Sequence, residues 1–394
     1  MIDPIVITGI GVVSPLGVSA SDVATRFCSG HSAVGPLDTL GVAEGLGGTV
    51  AEIPLDVVPA DKRARIGRLD RLCRLFLSAA YLAVDAAALR IDDSSAERVG
   101  LSLGTGLGCL LTNAEYNQKL IEHGPAAASP RLFAYTVSSA AAGEVSIALG
   151  MKGANVTSHA GLAAGLQAVG YGFDLIRMGK ADVVLAGGAD ALGEALVLGL
   201  ADMGLLRTSG ASGGICPSEG AAVLVLERAS GVRRRGARCW GRIDGYAAGF
   251  EPTLTRRNRE PTGIRETMRR ALAMSGRDPA AIDLVTTSAH GTAVDETERA
   301  ALEEIFGGPG APLLFAPKAA CGESFGAAGA LSVALASGML QAPPALADGV
   351  AWSLDGRPVG AHAAQARLRD AKLAMVHALC YSGPTVALVL GREE

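Results

Sequence analysis

The stretch NVTSHAGLAAGLQAVGYGFDLIRMGKADVVLAGGAD, residues 155–190, decides the fold. Its apolar residues Leu162, Leu166, Val169, Phe173 and Ile176 recur every three or four positions, which predicts one stripe of a helix facing a core. Ala160, Ala163, Ala164 and Gly165 interleave with that stripe, so neighbouring backbone can come close. Gly179 predicts the end of the helix, and residues 181–186 read as a fully buried strand running into a turn at Gly187 and Gly188. Strand, sharp turn and buried helix together make a mount for a nucleophile at a helix N-terminus, where free amides and the helix dipole favour negative charge.

Composition agrees with a large α/β core. The 394 residues are 49% apolar but only 4% aromatic, with 52 glycines, which implies close packing of small side chains. That length suits two or three ordinary domains or one large one. A net charge of −4 gives no general drive toward nucleic acid. The seven cysteines form no CxxC pair, which argues for a reducing compartment, expected to be the cytoplasm, and against a disulfide framework or a zinc site. Asp3 stands where a secretory signal would be basic, and apolar runs such as residues 186–206 are broken by Asp190, Glu194 and Asp202, so no membrane span is expected.

Outward from the central stretch, residues 5–10 read as a buried strand and residues 21–29 as a short helix capped by Ser21. Residues 61–74 form the densest basic run. Steps of three place Arg65, Arg68 and Arg71 together on a helix, opposite Ile66, Leu69, Leu72 and Leu75. Residues 99–103 make another buried strand, followed by Gly104, Gly106 and Gly108; no Lys-Ser/Thr follows, so this is not a phosphate loop. The second half has the same outline: strand 242–247, helix 264–274 ended by Gly276, strands 282–287 and 313–316, a glycine-rich helix from Gly326, and a hairpin of strands 373–379 and 385–390.

Five motifs carry a resemblance: VITGIGVVSPLG from Val6, GKADVVLAGG from Gly179, PSEGAAVLVLE from Pro217, His290-Gly291-Thr292, and GESFGAAGA from Gly322. Together they resemble the β-ketoacyl synthases, the condensing enzymes of fatty-acid and polyketide synthesis. The resemblance runs nearly end to end. It implies a thiolase-like α/β fold of five layers, α-β-α-β-α, built from two similar halves at 1–235 and 236–394 that form one integrated domain. In that family a Cys eight residues before the glycine matched by Gly170 is the nucleophile, and here that seat is Leu162. An isobutyl group has no lone pair with which to attack a thioester.

The family's remaining catalytic set is two His and a Lys. His290 and Lys318 match the first His and the Lys, with Asp295 and Glu298 following His290. The second His is replaced by Glu323, whose charge would oppose a developing enolate. The family's closing loop reads ALCYSGPTV from Ala378, with Tyr381, Ser382 and Gly383 in the gate and Pro384 lacking an amide donor. The acidic and arginine residues that usually precede the Pro217 strand are missing, and residues 207–216 read as small and flexible. Cys109, Cys216, Cys321 and Cys380 fall in segments expected near the pocket, and His159 stands three residues before Leu162.

The implied function is that of a chain length factor, a cysteine-less subunit that pairs with an active ketosynthase and shapes the acyl tunnel of a type II polyketide or fatty-acid-like system. The implied partners are that ketosynthase and an acyl carrier protein. No cofactor is implied beyond the carrier's phosphopantetheine arm, which brings the substrate. Arg65, Arg68 and Arg71 are the expected carrier contact, a solvated helix face being the other reading. The competing function is a self-sufficient acyltransferase or hydrolase on the same scaffold, with His290 and Glu323 as acid and base.

Overall fold

The computed structural model describes residues 3–36, 47–48, 58, 60–207, 213–252 and 261–393. Half of residues 207–216 read above as flexible, namely 208–212, lies outside them, as does the side chain of Arg65.

Twelve strands are described: β1 (Ile5–Val13), β2 (Gly35–Pro36), β3 (Gly47–Gly48), β4 (Val99–Gly104), β5 (Asn155–Ser158), β6 (Val183–Asp190), β7 (Gly220–Arg228), β8 (Gly241–Phe250), β9 (Leu284–Thr286), β10 (Leu313–Phe315), β11 (Leu373–Leu379) and β12 (Pro384–Gly391). Ten of them form one sheet in the order β10-β9-β11-β12-β8-β1-β7-β6-β4-β5, and β2 pairs only with β3. The sheet is a structural repeat. In β5-β4-β6-β7-β1 the first three strands run parallel and the last two pair antiparallel; β10-β9-β11-β12-β8 has the same pattern in the same chain order. The repeats join where Ile5, Val6 and Ile7 of β1 pair with β8.

Fourteen α-helices among the described residues cover this frame: α1 (Ala20–Cys28), α2 (Ala60–Ile66), α3 (Arg71–Ala86), α4 (Leu110–His123), α5 (Pro130–Phe133), α6 (Ala140–Leu149), α7 (Ala164–Arg177), α8 (Glu194–Asp202), α9 (Ala229–Arg235), α10 (Thr262–Ser275), α11 (Val294–Phe306), α12 (Lys318–Cys321), α13 (Ala328–Gln341) and α14 (Ala361–Asp370). α7 and α13, which follow β5 and β10, pack on each other between the two repeats and touch strands of both. α3 and α6 cover the outer face of the first repeat, α10 and α11 that of the second. The order is α-β-α-β-α, as the resemblance implied.

Being wedged between the two repeats of the sheet explains the small residues. A Cβ on Gly165 of α7 would lie 2.2 Å from the Gly326 carbonyl, and one on Gly329 of α13 would lie 2.6 Å from Cβ of Leu166. α13 is buried from Ala328 through Leu340. A helix apolar all round belongs in the middle of a large core.

Three local expectations are corrected. Gly187 and Gly188 are not a turn: β6 runs through them to Asp190, and both are glycine because added Cβ atoms would sit 1.9 Å from the Ala222 carbonyl and 2.0 Å from that of Gly326. The first helix is capped by Ser19, whose hydroxyl accepts from the Asp22 amide at 3.0 Å, rather than by Ser21. The basic run is not one helix. It breaks between α2 and α3, where Asp70 caps α3 by accepting from Leu72 N at 2.8 Å.

Candidate functional site

The central helix begins with a tight turn, residues Gly161–Ala163, in which Gly161 has φ of 55°. Leu162 is on that turn and 2% exposed. Around it lies an apolar cluster that includes Leu107, Leu110, Leu192, Leu196, Phe325, Cys380 and Tyr381. The pseudo-equivalent turn before α13, Phe325–Ala327, presses against it. Phe325 has φ of 52°, a strained conformation for a bulky residue that costs about 1–3 kcal/mol. Its amide donates to Glu323 Oε1 at 2.8 Å, which holds it there.

A second set of residues opens on a cavity of about 240 Å³ lined by His290, Lys318, Glu323, Asp295, Arg207 and Cys216. Lys318 Nζ pairs with Glu323 Oε2 at 2.7 Å and donates to the Ser288 carbonyl at 3.0 Å. Glu323 is 1% exposed, and burial pushes its carboxyl up while Lys318 pulls it back. The Asp295 carboxylate accepts from the His290 amide at 3.1 Å and the Gly291 amide at 2.8 Å, which sets the loop. His290 Nδ1 is 3.2 Å from Thr292 Oγ1, and Nε2 is buried with no hydrogen-bond partner among the described residues. Burial, with the Lys318 charge beside it, pushes His290 down to about 3, so at neutral pH it is an uncharged imidazole.

His290, Lys318 and Glu323 therefore meet, as the motifs implied. Leu162 is not among the residues lining their cavity; it joins them through Phe325 and Glu323. With no nucleophile at the turn, the arrangement offers one neutral base and one buried ion pair.

The model described as the β-ketoacyl synthase N-terminal domain matches residues 2–231, and that of the C-terminal domain matches residues 240–344. The chain belongs to the β-ketoacyl synthase family. A 3-oxoacyl-[acyl-carrier-protein] synthase 2 of Staphylococcus aureus is 30% identical over 325 residues, 77% of each chain, and one of Synechocystis is 28% identical over 323 residues, 77% of each. The solved ishigamide ketosynthase/chain length factor superposes over the whole of both chains with a TM-score of 0.83 and 26% identity. A β-ketoacyl synthase from Burkholderia phymatum, at 24% identity and a TM-score of 0.84, shares the fold over both full lengths.

Within this synthase-family frame, the loop that carries Cys380, Tyr381 and Ser382 lies against Gly161, next to Leu162. A Cβ on Gly161 would be 2.5 Å from Cys380 Sγ, which is 3.1 Å from Ser382 Oγ. Gly383 has φ of 114° and touches the Phe250 ring, and Pro384 opens β12, a strand position that tolerates its missing donor. Burial pushes the Tyr381 phenol up. Of the candidate thiols, Cys216 shares the cavity with His290, with Arg207 Nη1 at 3.8 Å, and Cys380 flanks Leu162. Cys321 is pushed up to about 12 by burial, and Cys109 faces α3 instead. His159 is exposed on the loop after β5.

The basic patch is divided by chemistry that sequence spacing does not carry. Arg68 is exposed on the turn between α2 and α3. Arg71 turns inward and clasps Glu219 with two nitrogens, Nε at 2.7 Å from Oε2. Glu219 is fully buried and also accepts from the Leu192 amide at 3.1 Å, so this pair braces a neighbour of Leu162. A second missed network ties the site to the final hairpin: buried His377 pairs through Nδ1 with Glu298, which accepts from the Ser288 amide at 2.7 Å, and its Nε2 meets Thr385 Oγ1 at 2.9 Å. The only sequence signal for either was a charged residue inside or beside a buried strand.

Proposed function

We propose that this chain is a catalytically incomplete β-ketoacyl-acyl-carrier-protein synthase subunit that pairs with an active ketosynthase, in the manner of a chain length factor, and shapes its acyl tunnel. The observation that carries the reading is Leu162, buried among leucines at the family's nucleophile position. Glu323 in an ion pair with Lys318 supports it, because a carboxylate there opposes enolate formation. The related solved protein described as a ketosynthase/chain length factor adds to it.

A paired subunit needs a face for its partner. β5 is the edge of the ten-stranded sheet, and the segment before it exposes Ile121 (83%), Phe133 (60%), Val137 (50%) and Ile147 (67%). An open strand edge bordered by apolar side chains is a ready surface for a second subunit. Residues 1–235 and 236–394 act in this reading as halves of one integrated unit. Carrier docking is assigned to Arg65 and Arg68, Arg71 being held on Glu219; the carried phosphopantetheine arm brings the substrate, and no other cofactor is assigned.

The competing reading, an acyltransferase or hydrolase using His290 and Glu323, has one observation in its favour: the unpartnered His290 Nε2 in an open cavity. Replacing both residues by Ala in a reconstituted complex with a ketosynthase separates the two. The chain-length role predicts product formation within a few fold of wild type, and the catalytic role predicts its collapse.

A further inference from the structure

Apart from the His290 site, a cavity of about 280 Å³ lies where α3 and α4 begin. Arg68, Arg71, Arg74 and Arg131 line it, against the carboxylates of Asp70 and Glu115. Both carboxylates are committed. Asp70 accepts from the Leu72 amide at 2.8 Å and the Thr112 hydroxyl at 2.6 Å, and Glu115 pairs with Lys119 at 2.6 Å. Arg71 is taken by Glu219. Arg68, Arg74 and Arg131 have no carboxylate partner among the described residues, and Arg74 Nε is buried without an acceptor.

The 14-residue α4 adds to this. Its N-cap, Cys109, makes no side-chain cap bond, and the amides of Leu111 and Thr112, two residues on the cavity wall, have no backbone acceptor among the described residues. Cys73, Cys109 and Asp70 place possible metal-ligand atoms within 4.8 Å of one another at the same spot, but guanidiniums on the adjoining wall oppose a cation and favour an anion.

We propose that this cavity binds a phosphate-type oxyanion, held by Arg68, Arg74 and Arg131 and by the first turn of α4. Guanidinium forks match phosphate oxygens in pairs, and a helix N-terminus adds aligned amides. The bound anion would add to the Asp70–Thr112 bond that already joins the starts of α3 and α4, and would tie both to Arg131 of α5. Arg68 is shared with the proposed carrier contact, whereas Arg74 and Arg131 belong to this site alone, so the two can fail separately.

Isothermal titration of the full chain with inorganic phosphate at low chloride tests this. One saturable site with a Kd near or below about 1 mM is expected. The double variant R74Q/R131Q should weaken it roughly tenfold or more, R131K should lose less, and R177Q, on the distant α7, should bind as wild type. Phosphate should also raise the melting temperature of wild type and of R177Q, a readout that does not depend on the variants folding well. Neither heat nor a melting shift up to about 20 mM phosphate, or full affinity in the double variant with an unchanged melt, would overturn the site. Competition by a carrier protein with its phosphopantetheine arm, and not by the armless form, assigns the ligand to the arm's phosphate; competition by neither assigns it to a free phosphate ester.

Discussion

Leu162, 2% exposed, belongs to a buried cluster of leucines with Phe325 and Cys380, so its side chain is part of the core. Leu162→Ala should cost about 2–5 kcal/mol in urea unfolding, the range for emptying a tightly packed site; a cost under about 1 kcal/mol would mean the seat is loosely filled. His290 sets a pH dependence. Its folded value of about 3 lies below the ordinary 6.5, so stability is intact above pH 6.5 and lost as pH falls toward 3, because only the unfolded chain then takes the proton. Asp190 and Asp295, each pushed up to about 6 by burial, act with the opposite sign between about pH 4 and 6, so wild type must be compared with His290→Gln. Between pH 6.5 and 4.5 the wild type should lose up to about 1.4 kcal/mol more per pH unit than the variant. Equal slopes would contradict a buried neutral imidazole. The residues at 162, 290, 318 and 323 were singled out by the family resemblance and the spacing of its motifs. Their separation into a leucine-packed turn and a polar cavity was not, because spacing along a chain says nothing of which pocket a side chain enters.

At the scale of elements, buried strands and the two central helices were legible because apolar runs and three-to-four periodicity report burial directly. The basic run was legible as charge but not as geometry. Gly67 to Asp70 interrupts it, and Glu219, which captures Arg71, lies 148 residues away. The two arginines should therefore behave differently. Glu219→Gln, or Arg71→Gln, should lower stability by about 3 kcal/mol, since removing one partner leaves a buried charge unmatched. Arg68→Glu should change stability by less than about 0.5 kcal/mol. Arg68→Glu should still weaken carrier binding, most at low ionic strength, where screening is least. Equal unfolding midpoints for the two classes of variant would contradict the bracing by Arg71 and Glu219. Gly187 and Gly188 were misread as a turn for a related reason: crowding by the Ala222 and Gly326 carbonyls demands glycine inside a strand, and a sequence cannot tell that demand from a turn.

For the whole molecule, the doubled sheet and its five layers followed from the resemblance rather than from periodicity, which gives only an α/β class. The account's assembly claim rests on β5 and the apolar residues beside it. Ile147→Asp, on the helix packed next to β5, should leave the melting temperature of the isolated chain nearly unchanged and weaken association with a ketosynthase in native mass spectrometry. Unchanged association would move the partner face elsewhere. The central claim is that the chain holds the synthase fold without its condensation chemistry. Its most direct test is mass spectrometry of the purified protein after incubation with acyl-carrier and malonyl-carrier protein. The account predicts no acyl group on the chain and no condensed product on the carrier until an active ketosynthase is added; robust condensation by the chain alone would contradict it.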